Sequence, residues 1–122
     1  MARLTGFSPA VRRVIKERAG IDGEFVVCER CGIWTKEPQL HHRRPRGSGG
    51  TRRPSTNLAA NGLVLCRLCH MWVERNRAES EDLGLLISQH TTEEPCEIPA
   101  VLRYGTVLMD NDGGWTPTEA AA

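Results

Sequence analysis

At 122 residues, with 39% hydrophobic residues and only six aromatics, the chain has apolar material for one thin core and not for two independent ones. No run approaches the roughly 18 apolar residues of a membrane span, and Met1 to Gly20 lacks an apolar stretch before a cleavage site, so a non-membrane, cytoplasmic protein is expected. The net charge of +1 hides a division: residues 1–77 carry 15 Lys+Arg against 6 Asp+Glu, whereas residues 78–122 carry 1 against 9.

In chain order, Ser8 to Ala19 reads as a helix, because Ser8 can cap, Pro9 suits the first helical position, and Val11, Val14, Ile15 and Arg18 share a side. Gly20 ends it. Phe25-Val26-Val27 leads into Cys28-Glu29-Arg30-Cys31, and Gly32 to Thr35 leads out, the pattern of a hairpin folded around a metal. Gln39 to His42 is a candidate strand. Arg43 to Thr56, with five arginines and Gly47, Gly49 and Gly50, reads as a loop. Leu63-Val64-Leu65 is the next strand; Cys66-Arg67-Leu68-Cys69-His70 follows, and Leu68 to Arg77 continues as a helix. Ser80 is placed to cap a further helix to about Gln89, with Leu83, Leu86, Ile87 and His90 on one face. After a connector containing Pro95 and Pro99, Val101–Tyr104 and Thr106–Met109 form a strand pair, and Asn111 to Gly114 a turn before Trp115. With so few aromatics, Trp34, Trp72 and Trp115 are expected in the core. His90 reads as a packed or partly exposed residue and not as a ligand.

Cys28, Cys31, Cys66 and Cys69 form two Cys-x-x-Cys turns, each offering two thiolates from one tight bend, which suits a tetrahedral structural zinc. In a reducing compartment this arrangement favours metal over disulfides, and Cys96 reads as an ordinary free thiol. On an extended segment, neighbouring side chains point to opposite sides, so His41 and His42 do not ligate one ion together. One can bind a cation while the other, an imidazole near neutral pKa, accepts a proton from water. His70, at the start of a helix, can supply a second ligand.

His42, Asn61 and His70, set among the two knuckles, resemble the signature residues of the HNH endonucleases. The resemblance covers about Cys28 to Arg77 and includes the paired histidines, Asn61 five residues before Cys66, the Cys-x-x-Cys-His ending and the Gly-Gly of the loop. It implies an α+β chain: a small ββα-metal, treble-clef-like core over residues 25–77 with a four-cysteine zinc site, an N-terminal helix, and an acidic extension (78–122) of a helix plus a β-hairpin, all in one domain. It further implies a metal-dependent DNA endonuclease leaving 5′-phosphate and 3′-hydroxyl ends. His42 would be the general base, His41 and His70 ligands of the catalytic cation, and Asn61 the residue that holds the loop. Many members carry Asp where His41 stands, so the ion's identity stays open: Mg²⁺ or Mn²⁺ first, with Ni²⁺ or Zn²⁺ tolerated by imidazoles. The layout is also similar to small bacteriophage HNH proteins, which implies a host cytoplasmic location and partners in genome packaging.

Arg43, Arg44, Arg46, Arg52 and Arg53 flank the proposed site, and guanidinium groups grip phosphates bidentately, so they are the expected nucleic-acid contacts. Two rival functions stand beside the nuclease. One is a non-catalytic zinc module that binds nucleic acid; the other is a restriction enzyme for modified bases, which normally needs an added recognition domain not expected within so short a chain.

Overall fold

The Ser8 side chain accepts from the Val11 backbone N–H at 3.2 Å, and Pro9 removes an N–H that would have no partner, so helix α1 (Pro9–Ala19) begins where its cap permits. The computed structural model describes residues 6–46 and 53–119; the Gly47, Gly49, Gly50 and Arg52 expectations fall outside them. Gly20, at φ 117°, turns the chain into β1 (Ile21–Asp22), which pairs antiparallel with β2 (Phe25–Val27), itself paired with β3 (Trp34–Thr35). The first knuckle is thus the connection of a real hairpin, Val27 facing Trp34 across it.

A second sheet has two antiparallel strands, β4 (Gln39–His42) and β5 (Gly62–Leu65), in the register Leu40↔Val64, His41↔Leu63, His42↔Gly62. Helix α2 (Arg67–Arg75) follows β5, and the short α3 (Arg77–Asp82) follows α2. The third sheet is antiparallel in the order β6 (Ala100–Leu102), β7 (Gly105–Met109), β8 (Trp115–Pro117), one strand more than the expected hairpin. Among the described residues the architecture is α+β, with three small sheets and few helices. No helix among the described residues is long and apolar enough to cross a membrane.

Two cores share the two-stranded sheet. Phe7, Ile15, Ala19, Val26, Ala59 and Val64 pack on one side. On the other, Leu63, Leu65, Cys69 and Val73 join Leu85, Leu86, Leu102, Val107 and Met109, so the acidic C-terminal segment supplies much of the main core. At ~25 cal/mol per Å² of apolar surface, each buried Val, Leu, Ile, Phe or Met side chain contributes about 1.5–3 kcal/mol.

Three expectations are corrected. The helix from Ser80 to Gln89 does not form: Ser80 is buried inside α3 with Oγ donating to Val73 O, and the chain leaves the helix at Gly84, φ +71°. A Cβ there would lie 1.8 Å from Pro99 O, so the apolar residues that mimic a helical face instead bond outward, Val101 N to Leu83 O and Ile87 N to Arg43 O. His90 is therefore on no helix and is exposed. Trp34 is half exposed, and Trp115 stacks on Tyr104 at 4.8 Å with its outer side open; only Trp72 packs against the core. The 43–56 loop holds a 3-10 turn at Pro54–Asn57, followed by another at Ala59–Asn61.

A buried ion pair ties these parts together. Arg18 Nε and Nη2 donate to Glu29 at 2.9 and 2.8 Å, and both side chains are fully buried. Glu29 also accepts from Val64 N and Tyr104 Oη, while Arg18 reaches the carbonyls of Ala59 and Gly62. Removing one partner leaves an uncompensated buried charge, which costs about 3–5 kcal/mol. Glu29→Ala is therefore expected to lower stability by that amount in urea denaturation, with a loss below 1 kcal/mol excluding the pair as a fastener.

Candidate metal centres and histidine cleft

The four thiols of Cys28, Cys31, Cys66 and Cys69 lie within 4.8 Å of one another. Cys31 Sγ and Cys66 Sγ are 3.8 Å apart. Bonds of about 2.3 Å in a tetrahedron require sulfur–sulfur edges of about 3.8 Å, so the donor set fits a zinc-sized ion. Cys28 is fixed by its place at the end of β2, where its N–H donates to Ile33 O and its carbonyl accepts from Gly32 N. Cys66 caps α2, its Sγ accepting from Cys69 N at 3.5 Å, which sets sulfur against the positive end of the helix. Arg30 lies over the Trp72 ring at 3.9 Å and donates to Cys69 Sγ at 3.4 Å, bringing a positive charge to the thiolates.

A second donor set lies on the face of β4 that meets α2. Alternation along the strand puts Gln39 and His41 on this face, and His41, His70 and Glu74 offer ligand atoms within 4.8 Å of one another. His41 Nε2 bonds Leu85 O at 2.8 Å, and a carbonyl can only accept, so this nitrogen carries the proton and Nδ1 is bare. His70 Nδ1 donates to Gln39 Oε1 at 2.5 Å, which turns Nε2 toward the Glu74 carboxylate, 3.9 Å away. Burial holds the His41 imidazole neutral, with a pKa of about 4, against the bond to Leu85, which acts the other way. Two imidazoles oriented through their far nitrogens, beside one carboxylate, fit a divalent cation. Glu74 was missed in the sequence, although its signal was there: it sits one helical turn after His70. Glu74→Ala is expected to weaken Mn²⁺ binding, measured by calorimetry on the zinc-replete chain, by at least about tenfold.

The opposite face of β4 carries Leu40 and His42. The His42 ring stacks on Phe7, centroids 3.9 Å apart and planes at 6°, and its Nε2 bonds Asn57 Oδ1 at 2.9 Å. Burial lowers the His42 pKa, the Asn57 bond opposing it. Asn61 is fully buried with every side-chain bond made across the loop: Oδ1 accepts from Arg44 N at 2.8 Å, and Nδ2 donates to Arg44 O and Thr56 O. The two asparagines therefore differ: Asn61 ties the loop ends, and Asn57 holds His42. Asn57 does so with its Nδ2 buried and without a partner among the described residues, at a cost of about 1–3 kcal/mol.

The arginines separate sharply. Arg43 and Arg44 are buried, which corrects their expected role at a nucleic-acid surface. Arg43 donates to four carbonyls, those of Gly84, Ala60, Pro95 and Ile98, at 2.7–3.0 Å. Burial lowers its pKa to about 9, so it remains charged at neutral pH. Arg44 donates to Thr91 O and Glu93 O, with Glu94 at 3.9 Å. Arg46 and Arg53 are exposed, Arg53 also reaching Gln89 O at 3.0 Å. Cys96 is partly buried against the main core and lines a cavity of about 620 Å³ with Arg44, Arg53 and Asn111, away from the histidines.

No family model, curated protein or solved structure matches the chain.

Proposed function

We propose that the chain is a metal-dependent endonuclease that hydrolyses phosphodiester bonds in DNA, built on an HNH-like ββα-metal core (β4, β5 and α2) braced by a four-thiolate zinc. The observation that carries this reading is the donor set His41, His70 and Glu74, one residue away from an independently held His42. A divalent cation bound there, Mg²⁺ or Mn²⁺ in the cell, would supply charge stabilisation to the phosphate under attack and to the leaving 3′ oxygen.

The chain's own residues do the rest. His42, neutral near physiological pH, takes the proton from the attacking water. Asn61 holds the loop that connects β4 to β5, so the imidazole keeps its aim. Arg46 and Arg53 hold the DNA backbone from the loop's flanks, which supplies affinity without sequence reading. Each lost phosphate contact lowers the slope of log affinity against log salt by about 0.9 on duplex DNA. The Arg46→Ala/Arg53→Ala chain is expected to bind duplex more weakly with a slope shallower by about 1.8 in fluorescence anisotropy titrations; an unchanged slope removes both contacts.

The rival is a zinc module that binds nucleic acid without cutting it. The second donor set favours the nuclease, since a binding surface has no need of two imidazoles converging with a carboxylate. Incubating supercoiled plasmid with the chain in EDTA, Mg²⁺, Mn²⁺, Ni²⁺ or Zn²⁺ decides between them. Nicked or linear product with Mg²⁺ or Mn²⁺ and none in EDTA is the expected result; intact plasmid with every ion, from a chain that still shifts in a gel, selects the rival.

A further inference from the structure

His42 is held from three sides, and two of the holding groups lie outside the β4, β5 and α2 unit. Phe7 precedes α1, and Asn57 belongs to the 3-10 turn of the loop. The third is the lack of a side chain at Gly62, directly opposite His42 in the sheet. A Cβ there would come within 2.9 Å of Phe7 Cζ and 2.4 Å of Ile15 Cδ1, so glycine leaves the space through which the Phe7 ring reaches the imidazole.

We infer that Phe7, Asn57 and Gly62 form a positioning cradle that presents His42 as the Nε2–H tautomer, with Nδ1 as the atom that takes the proton. The inference rests on the nuclease reading for the identity of the proton donor, and on geometry alone for the cradle. Asn57 Oδ1 is an acceptor only, so the bond at 2.9 Å places hydrogen on Nε2. Among the described residues nothing hydrogen-bonds Nδ1. The parallel Phe7 ring, stacked with its centroid 3.9 Å away, restrains the remaining rotation of the imidazole.

Packing alone does not account for Asn57. It is 7% exposed, and its Nδ2 has no partner among the described residues, so a leucine of similar size would fill the space with no orphaned donor. What leucine cannot do is accept from Nε2. Asn57 and Phe7 are positioning residues: neither needs to touch the phosphodiester, and each acts through the orientation and tautomer of His42.

The test uses the full zinc-replete chain, ¹⁵N-labelled, with long-range ¹H–¹⁵N spectra of the His42 ring at pH 8 and steady-state plasmid cleavage in Mn²⁺. The wild-type ring is expected as Nε2–H. Asn57→Leu is expected to mix the tautomers and to lower kcat about 100-fold with KM within twofold, at unchanged zinc content. Asn57→Asp keeps an acceptor and is expected to restore both the tautomer and most of kcat. Phe7→Leu, which leaves the Asn57 bond in place, is expected to keep the tautomer and lose about tenfold in kcat. A wild-type Nδ1–H ring, an Asn57→Leu chain unchanged in both readouts, or equal losses in the Leu and Asp variants overturns the cradle. If the wild-type chain does not cut DNA at all, the nuclease reading falls while the tautomer spectra still decide the cradle.

Discussion

A Cys69→Ser chain is expected to purify without zinc and to show no cooperative thermal transition. The argument is one of scale. Apparent binding energies for structural zinc in small peptides are about 10–16 kcal/mol, and the whole stability of a domain is about 5–15 kcal/mol. The four sulfurs join the β2–β3 hairpin to the start of α2, and Cys28, Cys66 and Cys69 lie within the main core itself. A serine hydroxyl is a poor substitute for a thiolate, so the loss spreads through the region and is not confined to one ligand. Metal analysis by atomic absorption, paired with circular dichroism melts with and without chelator, measures it. One zinc per wild-type chain and a chelator-sensitive melt are expected; a metal-free wild type melting at the same temperature in EDTA would dispose of the zinc brace.

His42→Ala is expected to lower plasmid cleavage by about 10²–10⁴ while leaving the fold in place. That range corresponds to about 3–5 kcal/mol of barrier. The cost to stability falls on the stack with Phe7, worth about 0.5–1.5 kcal/mol, and on the buried Asn57 Oδ1 left without its donor, about 1–3 kcal/mol, which together stay within the roughly 5–15 kcal/mol stability of a domain. The variant should therefore keep its zinc, its circular dichroism spectrum and its affinity for duplex DNA. His90→Ala, on an exposed residue of the connector, is the matched control and is expected to cut as the wild type does. Undiminished cleavage by a folded His42→Ala chain would remove this imidazole from the chemistry.

Local signals in the chain were readable where a short stretch carries its own cause. The Ser8-Pro9 start of α1, the β4 strand at Gln39–His42 and the turn spacing of the four cysteines all depend on neighbours within a few residues. What escaped was decided by distant partners. Arg43 and Arg44 look like surface cations until the carbonyls of Gly84, Pro95, Ile98, Thr91 and Glu93 are folded around them. Glu29 looks like filler between two cysteines, yet it answers Arg18 from the centre of the molecule. Leu83, Leu86 and Ile87 have the spacing of a helix, and only the close approach of Pro99 to Gly84 shows why that helix stops. Asn57 and Asn61 are four residues apart with the same chemistry; which one meets His42 depends on how the two 3-10 turns are set.

Arg43 follows His42 directly and makes its four hydrogen bonds to carbonyls, those of residues 60, 84, 95 and 98, with no carboxylate bonded to it among the described residues. Grafting the histidine strand onto a foreign scaffold would carry a lone cation into an interior that has no carbonyl nest to receive it. A minimal transplant has to include the acidic half of the chain, because that half supplies three of the four acceptors.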